Sequence, residues 1–254
     1  MSRCLVIVAT YNERDNLPSL VDAIFAAVPT VHLLVVDDNS PDGTGIWCDE
    51  RAATDARVRC LHRAAKQGLG AAVLAGLSWA LEHGYDVAVN MDADFSHPPT
   101  ALPALLAALE PAARHPADVA IGSRYVPGGR IENWSWRRHL LSRMVNWYSR
   151  WILRLPARDC SGGYRAYRLA FLRTLDPQSI ESRGYAFFEE QLWRLHRAGA
   201  RIVELPITFV NRSAGASKVN FREMCHSAGL LLRFGWQTWC GGGPPRRPPP
   251  DSAP

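Results

Sequence analysis

Along the first 125 residues, short dense runs of apolar residues alternate with longer stretches in which apolar positions recur every three or four residues. Leu5 to Ala9, His32 to Val36, Val58 to Leu61, Val87 to Met91 and Val119 to Ile121 have the length and density of buried strands. Between them the spacing predicts helices over about Leu17 to Val28, Thr44 to Thr54, Leu69 to Glu82 and Thr100 to Leu109. Asn16 and Pro18 suit the cap and first turn of the first of these. Strand–helix alternation of this kind predicts an α/β domain with a largely parallel sheet. Ligands of such sheets gather at the carboxyl ends of the strands.

After Tyr125 the pattern changes. Pro127-Gly128-Gly129 breaks it, and a long helical segment follows from Arg137 to Leu155. Leu140, Leu141, Met144, Val145, Trp147, Tyr148, Trp151, Ile152 and Leu155 recur there at helical spacing, interrupted by Arg137, Arg138, Arg143, Arg150 and Arg154. A basic amphipathic helix with tryptophans is suited to a membrane interface. A helix packed on the sheet with its arginines in water is the commoner alternative. The Gly/Pro-rich end carries too little apolar surface to pack, so one domain is expected over residues 1–236 and a disordered tail over 237–254.

Composition narrows the picture only slightly. The 254 residues are 47% hydrophobic and 21% charged, as in ordinary globular proteins. The net charge of +5 suits a phosphate-rich ligand or an anionic membrane, and gives nucleic-acid binding little support. Lys66 and Lys218 are the only lysines, so 29 − 2 = 27 basic residues are arginine. Six cysteines without a C-x-x-C or metal-ligand spacing are expected to be free thiols in a reducing cytosol. No run approaches the roughly 18 apolar residues of a membrane span, and the Leu5–Ala9 run is too short for a signal-peptide core.

The candidate chemistry sits at the strand ends. Asp92-Ala93-Asp94 leaves the Val87–Met91 run directly, and two carboxylates at i and i+2 can approach one hard divalent cation. Ser96 can add an oxygen ligand. Asp37-Asp38 ends the second strand, with Asp38 read as a ligand for a ribose or base and Asp42 as turn and cap chemistry. Tyr11 and Glu13 end the first strand, where a ring and a carboxylate can stack on and hydrogen-bond a nucleobase. Gly68-Leu69-Gly70 fails as a dinucleotide fingerprint because Val73 occupies the third glycine position. That disfavours a Rossmann dehydrogenase. Gly122-Ser123-Arg124-Tyr125 closes the fifth strand, and Arg212 to Lys218 forms a small cationic loop suited to a diphosphate.

In order along the chain, Thr10-Tyr11-Asn12-Glu13, Asp37 to Thr44, Asp92 to Pro98, Gly122 to Tyr125, Gly162-Gly163-Tyr164-Arg165 and Arg212 to Lys218 resemble the dolichol- or polyprenol-phosphate mannosyltransferases of glycosyltransferase family two. The resemblance runs from about Arg3 to Gly235, and Asn133 to Arg138 and Gly163 to Arg168 look like the bacterial polyprenol-phosphate branch. It implies a GT-A fold, a GDP-mannose donor, Mg²⁺ or Mn²⁺ as cofactor and a polyprenyl or dolichyl phosphate acceptor. Ala9, Tyr11, Glu13, Val36, Asp38 and Ala93 would line the donor; Asp92, Asp94 and Ser96 would serve the metal. Asp94, Arg124, Arg212 and Lys218 would carry catalysis, and these four with Asp92 would also contact the donor, the three basic residues at its phosphates or at that of the acceptor; Ser96, Trp136 and Arg138 would face the acceptor, with Trp134, Trp136 and Arg138 on a loop.

The sequence departs from the family at Ala9, where proline is usual, and at Cys160-Ser161, which replaces an apolar–Thr pair; some relatives carry Gln in place of Ser96. The family role implies a cytoplasmic enzyme peripheral to the membrane, with room for a separate anchoring subunit. Three rivals stay open: a UDP-glucose-dependent prenyl-phosphate glucosyltransferase, a family-two transferase to a sugar hydroxyl, and a non-catalytic membrane-associated nucleotide-sugar-binding protein.

Overall fold

The computed structural model describes residues 2–113, 115–175, 179–182, 184, 186–211 and 221–241, with the backbone alone over 221–226. Its centre is a seven-stranded sheet of β1 (Cys4–Thr10), β2 (His32–Asp37), β3 (Val58–His62), β4 (Val87–Asp92), β5 (Val119–Ser123), β7 (Arg165–Arg168) and β8 (Ile202–Pro206), in the order β3-β2-β1-β4-β7-β5-β8. A small parallel pair, β6 (Arg130–Glu132) and β9 (Thr208–Val210), stands beside it.

The strands are parallel except β7, which runs antiparallel between β4 and β5. The expected largely parallel sheet is therefore interrupted once. β7 arises from Arg165-Ala166-Tyr167-Arg168, four residues with no long apolar run to mark them. All five expected strands form, most of them a residue or two longer than their apolar cores.

Alternation along the strands splits the core into two layers. Val6 and Val8 face α1 (Leu17–Ala27), α2 (Thr44–Thr54) and α4 (Leu102–Ala107), while Leu5 and Ile7 face α3 (Leu69–Glu82) and the later helices. Gly76 of α3 lies so near Ile7 that a Cβ there would stand 2.5 Å from Ile7 Cγ2, and its lack of a side chain sets the helix-to-sheet distance. Two local expectations change. Asn16 stands at the N-cap of α1 as expected, but its side chain makes no capping hydrogen bond and donates instead to Glu13 Oε2 at 2.8 Å. The helix expected from Thr100 opens as a 3₁₀ turn at Pro99–Ala101, and α4 proper ends at Ala107.

The later helices are α5 (Trp136–Leu153), α6 (Leu169–Leu172), α7 (Phe187–Arg197) and α8 (Phe221–Trp239). α8 packs on α5, where Gly235 meets Ile152 and Trp239 Nε1 donates to the Ile152 carbonyl at 3.1 Å. α8 thus runs through Trp239, and this tryptophan is part of the α5–α8 contact. Residues 242–254, and with them most of the expected tail, lie outside the described residues.

Candidate active site

The ends of β1, β2 and β4 lie level. Ala9 is paired with Val36 on one side and with Asp92 on the other, so three residues expected at the donor stand in one row across the sheet. The chain beyond that row supplies the polar groups.

Asp37 is buried and organises the turn beyond β2: Thr10 Oγ1 donates to it at 2.9 Å, the Ser40 amide at 3.0 Å and the Ser40 hydroxyl at 2.6 Å. With Asp37 committed to structure, Asp38 is the carboxylate presented beyond the strand. Arg63 Nη1 lies 2.6 Å from its Oδ1. Burial pushes the Asp38 carboxyl up, and the Arg63 charge offsets only part of that shift. Asp42 caps two segments at once, accepting from the Arg14 amide at 3.0 Å and from Thr44 through its amide at 3.0 Å and its hydroxyl at 2.6 Å. Burial alone would raise the Asp42 carboxyl, but these donors outweigh it and hold the group below its ordinary value. Tyr11 is exposed, with Lys66 Nζ 4.1 Å above its ring.

The Asp92–Pro98 turn is shaped from within. Asp94 Oδ1 accepts the Ser96 amide at 2.9 Å, an Asx turn that carries Phe95 through a left-handed φ of 60°. His97 is buried and accepts the Asp92 amide on Nδ1 at 2.9 Å, which fixes the Nε2–H tautomer of a neutral ring. Burial holds its pKa below the usual histidine value. The ring is stacked on Tyr164 with centroids 4.9 Å apart, and Tyr164 donates to the Pro98 carbonyl at 3.0 Å. His97 is thus a support for the acidic turn.

Asp92 and Asp94 remain partly exposed, and their negative field reaches Glu13, whose carboxyl is raised first by burial and further by these two groups and Asp42. Two partly exposed carboxylates on one turn offer hard oxygen donors, which fit a magnesium- or manganese-class cation. Ser96, expected as a metal and acceptor contact, is buried immediately behind the pair.

Arg124 lies across from this turn. Its Nε and Nη2 meet the Asp159 carboxylate at 2.8 and 2.7 Å, its amide donates to Asp159 at 3.0 Å, and Nη2 also reaches the Ser161 hydroxyl at 3.0 Å. Burial lowers the Arg124 guanidinium, and Asp159 more than compensates. The same fork keeps the buried Asp159 ionised against the desolvation that would raise it. Arg124, expected at a phosphate, is therefore held first by an internal carboxylate.

An aromatic path continues outward from the acidic turn: His97 to Phe209 at 5.7 Å, Phe209 to Trp134 at 5.6 Å, and the Arg138 guanidinium 4.1 Å above the Trp134 ring. Arg138 also donates to Asn211 at 2.9 Å. Trp136 and Arg138 belong to the first turn of α5, not to a loop as expected, because the Ser135 hydroxyl accepts the Arg138 amide and starts the helix there. Arg212 and Lys218 fall outside the described residues.

Beyond its first turn α5 is inverted relative to a core helix. It buries Asn146 and Ser149, with Ile152 and Leu153 reaching the core only in its last turn, and exposes Leu140, Leu141, Met144, Trp147 and Trp151. Asn146 anchors it, receiving the Cys160 amide at 2.7 Å and the Ser161 amide at 3.1 Å. α8 extends the same exposure with Leu232, Trp236 and Trp239. No described helix is long and apolar enough to cross a membrane.

The supports Arg63, Asp159, Asn146 and the wholly buried Arg165 were missed in the sequence. Arg165 donates to the carbonyls of Cys160, Gly162 and Phe188 and braces the segment that carries Asp159. Arg165 was visible only as part of a motif. Nothing at the sequence level separates Asp159 from any other loop aspartate.

Comparison with known proteins agrees with this geometry. The family described as Glycosyl transferase family 2 matches residues 5–176. A polyprenol monophosphomannose synthase of Mycolicibacterium smegmatis is 51% identical over 225 residues, covering 87% of this chain and 83% of its own length. An undecaprenyl-phosphate mannosyltransferase of Micrococcus luteus is 50% identical over 218 residues, covering 86% of this chain and 88% of its own. Among solved structures, glucosyl-3-phosphoglycerate synthase from Mycobacterium tuberculosis, in complex with Mn²⁺, UDP and phosphoglyceric acid, superposes with a TM-score of 0.63 at 20% identity, covering 99% of this chain and 80% of that one. A mannosyltransferase from Pyrobaculum calidifontis, in complex with GDP-Man and Mn²⁺, does so with a TM-score of 0.55 at 18% identity, covering 96% and 66%. At these identities the structural likeness establishes the fold, which is of the GT-A type. The match over most of the chain and the half-identical relatives show that this protein belongs to glycosyl transferase family 2 and is a glycosyltransferase.

Proposed function

We propose that the enzyme transfers mannose from GDP-mannose to the phosphate of a polyprenyl monophosphate, with inversion at the anomeric carbon, at the cytoplasmic face of a membrane to which it is peripheral. The observation that carries this reading is the path from Asp92 through His97, Phe209 and Trp134 to Arg138, which leads from the acidic turn to a helix exposing leucines and tryptophans. An acceptor with an anionic head and an apolar chain suits a site built in that order. The names of the half-identical relatives support the same acceptor class.

Tyr11, Glu13, Asp38 and the Ala9–Val36 row would hold the nucleoside; Asp92 and Asp94 would hold the metal with the donor diphosphate. A divalent cation bound there would neutralise the diphosphate and make the nucleoside diphosphate a better leaving group. Arg212 and Lys218 would add positive charge as the glycosyl bond breaks. The attacking group is a lipid phosphate oxygen, already an anion near neutral pH, so no strong general base is required. Arg124 and Arg138 would orient that phosphate. Attack opposite the α-linked diphosphate forms the new carbon–oxygen bond as the old one breaks and leaves a β-linked product.

Donor choice is testable by thermal shift. GDP-mannose with Mg²⁺ should stabilise the protein more than UDP-glucose at equal concentration, and the difference should vanish with chelator. Greater stabilisation by UDP-glucose would replace the donor in this reading.

A further inference from the structure

Away from the active site, one group of metal-ligating side chains is assembled from two elements. Cys60 and His62 stand two residues apart on the edge strand β3 and so point to one face of the sheet. α2 packs on that face and brings Asp49 beside them. His62 Nε2 lies 2.9 and 3.1 Å from the two Asp49 oxygens, and Cys60 Sγ lies 3.9 Å from His62 Nδ1. One ligand atom from each of the three residues falls within 4.8 Å of the other two. Cys48, next to Asp49 in sequence, is buried and directs its sulfur to the Arg59 carbonyl at 3.8 Å, which ties α2 to β3 beside the group.

We propose that Asp49, Cys60 and His62 form a binding site for a thiophilic divalent cation of the zinc class, separate from the donor site. Thiolate and imidazole ligands favour such a cation, whereas the all-oxygen set at Asp92 and Asp94 suits magnesium or manganese. Ligand atoms around tetrahedral zinc stand roughly 3.2–3.8 Å apart, given metal–ligand bonds of about 2.0–2.3 Å. The Asp49 and Cys60 contacts fall on opposite nitrogens of the His62 ring, so binding through one nitrogen requires the ring to turn and the ligand atoms, now within 4.8 Å of one another, to draw in. The side chains of His62 and Asp49 are 51% and 61% exposed, which leaves room for it. Loss of the Cys60 proton accompanies binding, and water completes the shell. The site adjoins the nucleotide end of the sheet: a Cβ on Gly45 would lie 3.1 Å from both Asp37 Oδ2 and His62 Cε1, and Arg63, the next residue, pairs with Asp38. The spacing of the cysteines hides the site because one ligand comes from a helix and two from a strand.

The test is a Co²⁺ titration of the full chain with Mg²⁺ in excess, so that hard carboxylate sites are filled. A thiolate-to-cobalt charge-transfer band should grow to one equivalent and be bleached by Zn²⁺. Cys60→Ser should remove the band, His62→Gln should weaken Co²⁺ binding by about tenfold or more, and Cys240→Ser should leave both unchanged. Should Cys60→Ser fail to fold by circular dichroism, His62→Gln and Asp49→Asn, both at exposed side chains, decide the matter. The proposal is overturned if no thiolate band forms, or if the band persists at wild-type affinity in the folded ligand variants.

Discussion

Asp159 holds Arg124 by a bidentate fork of 2.8 and 2.7 Å, inside the protein and facing the acidic turn. Removing one partner of such a pair costs more than the pair contributes, because the other charge stays buried and uncompensated. Asp159→Asn should lower stability by about 3–5 kcal/mol in urea unfolding. Arg124→Lys keeps the charge but loses the fork. It should fold, with a smaller stability loss and a turnover reduced by at least about tenfold.

Asp94→Ala should fold, since the residue is only partly buried, while transfer is abolished. Mg²⁺ should then no longer enhance GDP-mannose binding in calorimetry. A folded Asp94→Ala enzyme with wild-type turnover would remove the acidic turn from the mechanism.

The exposed face of α5 offers a separate lever. Trp147 and Met144 are 68% and 57% exposed and make no contribution to the core, so Trp147→Glu and Met144→Glu should each leave the melting temperature within a few degrees. Co-sedimentation with anionic vesicles should fall several-fold, because each change adds a charge to a face that pairs apolar groups with arginines. Unchanged vesicle binding would show that the face does not meet lipid.

Glu189 is buried with Oε2 unpaired, and burial pushes its carboxyl up to about 7. The folded state therefore binds this proton more tightly than the unfolded chain does. The resulting stability is complete below the ordinary glutamate value of 4.5 and is lost as pH rises through about 7. Glu189→Gln should match the wild type at pH 5 and exceed it at pH 8 by roughly 1–3 kcal/mol, measured by denaturant unfolding at both pH values.

The parts of the fold that repeat were legible. Leu5 to Ala9 and its counterparts announced parallel strands, and the motifs at their ends marked Asp38, Asp92 and Asp94 before any geometry was known. β7 was not legible, because a four-residue antiparallel strand is fixed by its neighbours and not by its own pattern. The sequence marked Asp38 as the ligand carboxylate but gave Asp37 no task; the structure turns Asp37 inward to Thr10 and Ser40 and leaves Asp38 beyond the strand. Long-range supports such as Asp159 under Arg124 and Asn146 under Cys160 and Ser161 depend on folding distant segments together. Burial gives the Arg137–Leu155 segment two faces: α5 turns Asn146, Ser149, Ile152 and Leu153 inward and Leu140, Leu141, Trp147 and Trp151 outward.

The most direct measurement is transfer itself: labelled GDP-mannose incubated with the purified protein, Mg²⁺ and polyprenyl phosphate in vesicles, with the lipid product identified by mass spectrometry. A polyprenyl phosphate β-mannoside that forms with Mg²⁺, disappears with chelator and requires the lipid phosphate is the predicted result. Mannose transfer that proceeds equally well without lipid phosphate, or no transfer under any of these conditions, would contradict the account.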